Sequence, residues 1–286
     1  MKIVHISDLH YGISEHHNKS VERKIRDIAS RHPSHLVITG DITNTGREKE
    51  YKGVSEILRY YDFFSSSRLT VVPGNHDLYM QFFAHYKTPE SLYRKFAGVR
   101  KYIGLMVNYR LKKYRKDLNH FNHYFQPSFE GVITSKGNLC GYPFLKILDE
   151  KTAIVGIDSN QLPGITRNPA CSNGVCDMQD YRAIDLLLSE HPLKGKCLIA
   201  AMHNYLYSYD QVVKMTSKLF ARFMATRKYE RYIELFEKHH VSIVLHGHYH
   251  INDEYYVGHK RKIKVLNGGG SRWGKWHEIN TPEAGC

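Results

Sequence analysis

The chain has 286 residues, 42% of them hydrophobic and 24% charged, a globular balance that excludes a disordered chain, a collagen-like repeat and a coiled-coil rod. That length suits one large or two ordinary domains with a sizeable buried core. Its 41 Lys and Arg against 28 Asp and Glu leave a net charge of +13, a field that draws anions such as phosphates, nucleic acid or an acidic membrane face.

Residues 2–6 form an apolar-rich run ending at Ser7 and Asp8, and residues 36–39 form a second one ending at Gly40 and Asp41; both read as buried strands. Between them Val21, Ile25 and Ile28 recur at helical spacing, as do Tyr51, Val54, Leu58 and Tyr61 after the second strand. Residues 69–72 supply a third strand that stops at Pro73 and Gly74. Strands alternating with helices of this length need crossover connections, which predicts an α/β core with a mostly parallel, helix-covered sheet. Further strands are expected at 144–148, 153–157, 197–201, 241–245, 255–257 and 263–266, and helices at 178–190 and 228–240, the first capped by Asp177. The short VGHKRK turn before the last strand implies an antiparallel pair, so the sheet is mixed.

No run of about 18 apolar residues occurs, and the N-terminus enters its first strand without a cationic leader, so neither a spanning helix nor secretion is expected. The five cysteines are odd in number and irregularly spaced, which fits reduced thiols and a cytoplasmic setting. Cys171 and Cys176 lack the second pair that a structural zinc requires and read as part of a surface loop. Residues 78–125 carry ten Lys and Arg against two acidic residues, and residues 204–232 carry six against two. These segments hold +8 and +4 of the +13, so the remaining body is nearly neutral.

The chemistry-bearing residues stand at strand ends. Asp8 and His10 follow the first strand, Asp41 the second, Asn75, His76 and Asp77 the third, His203 the strand at 197–201, and His248 and His250 the strand at 241–245. The carboxyl ends of parallel strands share one edge, so these side chains are expected to converge. Carboxylate, carboxamide and imidazole without a thiolate suit manganese, iron, zinc or magnesium, and an aspartate can bridge two ions with its two oxygens, a role that falls to Asp41.

Asp8-Leu9-His10, Gly40-Asp41, Gly74-Asn75-His76-Asp77, Met202-His203 and Gly247-His248-Tyr249-His250 together resemble, in order, the signature of the calcineurin-like metallophosphoesterases. The resemblance implies a four-layer αββα sandwich with mixed sheets over residues 1–286. It also implies two divalent cations, manganese first among them. One would be held by Asp8, His10, Asp41 and His250, the other by Asp41, Asn75, His203 and His248. His76, beside the scissile phosphate, would give a proton to the leaving group or stabilise phosphoryl charge, with Asp77 orienting it, and hydroxide generated at the metals would cleave a phosphoric ester or anhydride. His5 and His246 read as core or supporting residues, the other histidines as surface positions, and Asn267 to Gly270 as a structural turn near the site.

The segments 78–125 and 204–232 begin beside the site residues and are expected to form a basic, aromatic-rich, helical cap at its rim. Its aromatic residues either pack on the body, or form with Arg110, Lys112, Lys113, Arg115 and Lys116 a surface for acidic lipid, or line a nucleic-acid groove. His10-Tyr11-Gly12, the GDITNTG block and VGIDSN at 155–160 are similar both to cyclic-nucleotide phosphodiesterase-like members and to UDP-2,3-diacylglucosamine pyrophosphohydrolases of lipid A synthesis. The basic cap favours the lipid-linked substrate and peripheral attachment to the cytoplasmic face of the inner membrane. The lipid-substrate relatives, however, carry arginine where this chain has His76. A soluble phosphodiesterase and a nuclease are the alternatives, and no protein partner is expected.

Overall fold

Ile3, Val4 and Ile6 of strand β1 (Lys2–Ile6) are all fully buried, as are Leu36, Val37 and Ile38 of β2 (His35–Thr39). Consecutive buried residues point to opposite faces of a strand, so this sheet is covered on both sides. The structure, a computed structural model, describes residues 1–79, 111–135, 141–164, 168, 171–206, 226–270 and 275–281. In it β1 pairs in parallel with β2 and β2 with β3 (Leu69–Val72), while β11 (His277–Asn280), which the sequence reading lacks, closes the other side of β1 antiparallel. Helices α1 (Glu15–Ala29) and α2 (Glu48–Tyr60) are the crossovers. Ser14 caps α1 by accepting the His17 N–H, and Glu50 receives the Arg47 N–H at the start of α2.

A second sheet runs β4-β5-β6-β7-β8-β10-β9, made of β4 (Ile133–Thr134), β5 (Phe144–Ile147), β6 (Thr152–Gly156), β7 (Cys197–Ala201), β8 (Val241–His246), β9 (Asn252–Val257) and β10 (Ile263–Gly268). Its centre is parallel and its margins antiparallel, the mixed sheet expected. Alternate residues separate two cores. Ile154, Ile199, Ala201 and Leu245 face the first sheet, whereas Ala153, Val155, Leu198, Ala200 and Val244 pack with Ile184, Leu187, Tyr232 and Phe236. These last four come from α5 (Met178–Ser189), capped by Asp177 as predicted, and α6 (Tyr229–Lys238). The order is helices, sheet, sheet, helices. No helix among the described residues is long and apolar enough to cross a membrane.

The short helix α3 (Asn75–Leu78) follows β3, and α4 (Leu111–Tyr124), the described end of the first basic segment, packs on α2 and α3. Leu118, Phe121 and Phe125 enter the core there, and the Tyr124 ring stacks on Tyr51 with centroids 5.0 Å apart. In this part the aromatic residues therefore pack on the body. Lys113 pairs with Asp117, Arg115 is half-buried and Lys116 exposed; Arg110 and the side chain of Lys112 lie outside the described residues.

Two sequence expectations need correction. The Cys171–Cys176 stretch is buried, because Asn168 Oδ1 accepts the N–H groups of Ser172 and Asn173 and satisfies the backbone locally. His35 is not a surface residue: it is fully buried, with one ring nitrogen 2.8 Å from the Ser67 carbonyl and the other 2.8 Å from Thr70 Oγ1. Burial, reinforced by Lys146, pushes its pKa from 6.5 to about 3. The unfolded chain thus binds a proton near 6.5 that the folded chain refuses until about 3. Stability is full above that window and falls as pH drops through it, by about 3 kcal/mol at pH 4 from this residue. Melting curves between pH 7 and 4 should show His35→Gln starting lower than the parent but declining less steeply; equal slopes would refute the assignment.

Candidate active site

Because β1, β2 and β3 are parallel in one sheet and β7 and β8 in the other, their carboxyl ends meet along one edge of the sandwich. The chain turns sharply at each end. Among the described residues ten non-glycine positions have positive φ, and five of them are Asp8, His10, Asp41, His248 and His250. Such backbone costs on the order of 1–3 kcal/mol per residue and persists only where surrounding structure enforces it. Here the enforcement includes bonds between turns: Asp8 N–H to the Gly40 carbonyl at 3.1 Å, His10 N–H to that of Asp41 at 2.9 Å, and Gly247 N–H to that of His203 at 3.0 Å. Two glycines are required by close approach. A Cβ on Gly74 would strike the Asp41 carboxylate, and one on Gly247 would strike Ser7 Oγ and Asp8 Oδ2.

The seven predicted donors converge in two overlapping sets. Asp8, His10, Asp41 and His250 place ligand atoms within 4.8 Å of one another, as do Asp41, His203 and His248. Asn75 joins the second set, its Oδ1 standing 3.2 Å from His203 Nε2. Asp41 is common to both. Oδ1 accepts the His76 N–H at 2.8 Å, and Oδ2 faces both sets, 3.7 Å from His10 Nε2 and 3.5 Å from His203 Nε2. His203 Nδ1 donates to the Thr39 carbonyl at 2.8 Å, which turns Nε2 inward. Asp8 accepts the His248 N–H on both oxygens, locking the two sheets together at the site.

The electrostatics fit cation binding. His10 Nε2 and His250 Nε2 face each other at 3.0 Å, and His203 Nε2 and His248 Nδ1 at 3.1 Å. Burial and His76 push His10 down to about 3, and burial and His203 push His248 down to about 3, so both are neutral donors. Burial alone would raise Asp41; His203 and His76 outweigh it and hold its carboxyl well below the usual range. Burial alone would lower His203 and His250, but Asp41 and Asp8 raise His203 to about 9 and Asp8 raises His250, so the two buried carboxylates draw positive charge to their centre, which a cation would supply in place of those protons. Among the described residues, His248 Nε2 is moreover buried without a hydrogen-bond partner. Oxygen and imidazole donors are the set that borderline and hard divalent ions take, and the buried cysteines Cys171, Cys176 and Cys197 are not among them.

Comparison with known proteins decides the family: the model of the calcineurin-like phosphoesterases matches residues 1–252, which include every one of these donors. The chain belongs to that family. Solved structures with a similar fold include a dimetal phosphatase from Danio rerio (TM-score 0.57, 13% identity, 95% of this chain and 88% of that one). Phosphopantetheinyl hydrolase PptH from Mycobacterium tuberculosis is also similar (TM-score 0.53, 14% identity, 99% and 96%). A sequence relative, the glycerophosphodiester phosphodiesterase GpdQ of Enterobacter lignolyticus (strain SCF1), is 31% identical over 27% of this chain. The match spans 30% of that enzyme's length.

Beside the donor sets of this calcineurin-like phosphoesterase stands His76. Its half-buried ring meets that of His10 edge-on, centroids 4.5 Å apart, and Nδ1–H donates to the Asn44 carbonyl at 2.8 Å. Asp77 does not orient it. The Asp77 carboxylate accepts from Thr43 N–H at 2.9 Å, Thr43 Oγ1 at 2.8 Å, Ile42 N–H at 3.2 Å and Gly74 N–H at 3.0 Å, tying the turn after β2 to that after β3. It is a clamp between strand ends, and the carbonyl of Asn44 holds the imidazole instead. His5 and His246 are supporting residues as expected, bonded to Thr39 Oγ1 and Tyr255 Oη. His277, read as surface, stacks on His5 at 6.0 Å and bonds the Asn267 carbonyl. Sequence reasoning missed Ser159, whose Oγ receives the N–H groups of His203 and Asn204 at 3.3 and 3.0 Å. Its position just past β6, at the edge where the other donors gather, was the available signal.

Proposed function

We propose that the chain hydrolyses phosphodiesters with two divalent cations, one held by Asp8, His10, Asp41 and His250 and the other by Asp41, Asn75, His203 and His248. The single observation that carries this reading is Asp41 Oδ2 facing both donor sets at once. Bound there, the cations supply a Lewis-acidic pair that lowers the pKa of water and offsets charge on the phosphoryl oxygens, with manganese the first candidate. The residues do the rest. The His76 N–H fixes the Asp41 carboxylate so that Oδ2 stays shared. The Asn44 carbonyl engages Nδ1–H of His76, so Nε2 is the nitrogen left for the substrate; in the imidazolium form its N–H is the proton that passes to the departing oxygen, and the neutral Nδ1–H ring remains.

The phosphodiester is favoured over the lipid-linked pyrophosphate for two reasons. GpdQ, by its name, acts on a phosphodiester, and the described apolar residues of the insertion, Leu118, Phe121 and Phe125, are buried rather than offered to acyl chains or an acidic membrane. A panel decides: manganese-loaded protein given a bis-aryl phosphodiester, a cyclic nucleotide, UDP-2,3-diacylglucosamine in detergent, and single-stranded DNA at low and high salt. The bis-aryl diester is expected to exceed the lipid-linked substrate by about tenfold or more in kcat/KM, a difference of about 1.4 kcal/mol in barrier. The reverse order would place the insertion at a lipid surface. DNA cleavage that survives high salt would point to a nuclease.

A further inference from the structure

Asp158 lies two residues beyond β6, next to the ends of the strands that carry the second donor set, and is not itself one of the converging donors. Its Oδ2 accepts a hydrogen bond from the Tyr114 hydroxyl of α4. Its Oδ1 accepts from the backbone N–H of Asn160 at 3.2 Å and from Asn160 Nδ2 at 2.9 Å. The same Asn160 amide donates to the Pro73 carbonyl at 2.9 Å, two residues before Asn75. On the other flank Ser159 receives the His203 and Asn204 N–H groups and donates to Asn204 Oδ1 at 2.9 Å. One half-buried carboxylate therefore stands between a helix of the insertion and the backbone carrying Asn75 and His203. In the first donor set, Asp8 and His10 sit in turns bonded to Gly40 and Asp41.

A further tie runs along α4. Tyr114 packs near Tyr79, centroids 6.1 Å apart, and the Tyr79 hydroxyl donates to the Gln161 carbonyl at 3.1 Å. Tyr51, stacked on Tyr124, donates to the Asp77 carbonyl at 2.7 Å. The helix is thus fastened to α3 on one flank and to residues 158–161 on the other. Side chains that orient ligand-bearing backbone typically set metal affinity by about 10–100-fold.

We propose that Asp158 is a positioning residue that couples α4 to the second metal site, holding Asn75 and His203 in ligating geometry through Tyr114, Asn160 and Ser159. This rests on the reading of the donor sets as a metal pair, but not on the choice of substrate. The test is calorimetric titration of metal-stripped protein with Mn2+, with elemental analysis of the ions retained after desalting. The parent should bind two ions. Asp158→Ala should weaken one of them by about 10–100-fold and leave the other unchanged. Asp158→Asn, which still accepts from Asn160, should recover most of the loss, a pattern that mere destabilisation would not produce. Tyr114→Phe deletes one hydroxyl and keeps the aromatic packing, so it tests the link even if Asp158→Ala fails to fold; a weakening of one ion is expected there too. Unchanged affinity for both ions in Tyr114→Phe, or equal loss of both in a folded Asp158→Ala, overturns the proposal. A parent that binds fewer than two ions instead ends the metal-pair reading itself.

Discussion

Asp41→Ala is expected to lower phosphodiester turnover by about 10³-fold or more and to strip both metal ions, because one oxygen of that side chain faces both donor sets. Loss of His250 or His248 removes a donor from one set only, so each of those variants should retain one ion. Elemental analysis after desalting measures the stoichiometry, and steady-state assays on a bis-aryl diester measure kcat. Asp41→Asn separates charge from geometry. Its carboxamide oxygen can still accept the His76 N–H that Asp41 Oδ1 accepts at 2.8 Å, while the bridging anion is gone. Both variants should therefore lose metal, but only the alanine leaves a polar N–H in the site without its acceptor, which costs about 1–3 kcal/mol of stability. Two ions retained by Asp41→Ala would sink the shared-bridge reading.

His76→Ala is the second large effect, and its signature is chemical rather than structural. His76 belongs to neither donor set, so both ions should stay. A proton delivered to a leaving oxygen matters most when that oxygen is strongly basic, so cleavage of an alkyl phosphodiester should fall by about 10²–10⁴-fold. A nitrophenyl diester, whose leaving group departs as a stable anion, should lose far less. Measuring kcat across leaving groups of graded pKa gives the answer as a slope. An equal loss on all of them would recast His76 as a stabiliser of phosphoryl charge, the other role that the family resemblance offers. The Asn44 carbonyl that holds the ring is backbone, so this contact cannot be removed by substitution there.

The donors were legible in the sequence for a specific reason. Each follows an apolar run that can only be a buried strand, and parallel strands bring their carboxyl ends to one edge whatever the details of packing. The Asp177 cap was legible because a helix start leaves N–H groups that the preceding side chain must accept. Asp77 was misread in its partner. Adjacency to His76 suggested an orienting pair, yet α3 begins at Asn75 and turns successive side chains apart, so Asp77 reaches back to Thr43 while His76 faces Asn44. The edge strand β11 and the buried His35 were hidden because their surroundings come from residues distant in the chain.

What the order of residue types determined by itself was the α/β class, a set of candidate metal donors and their placement after strands, since burial periodicity and donor chemistry are local properties. Only the tertiary structure decided that Asp41 Oδ2 faces His10 and His203 at once, that Asp77 clamps two turns, and that Tyr114 and Asp158 join across 44 positions of sequence. Those are contacts between separate segments of the chain. Their geometry depends on how two sheets and the helices on them settle against one another, which no local spacing encodes.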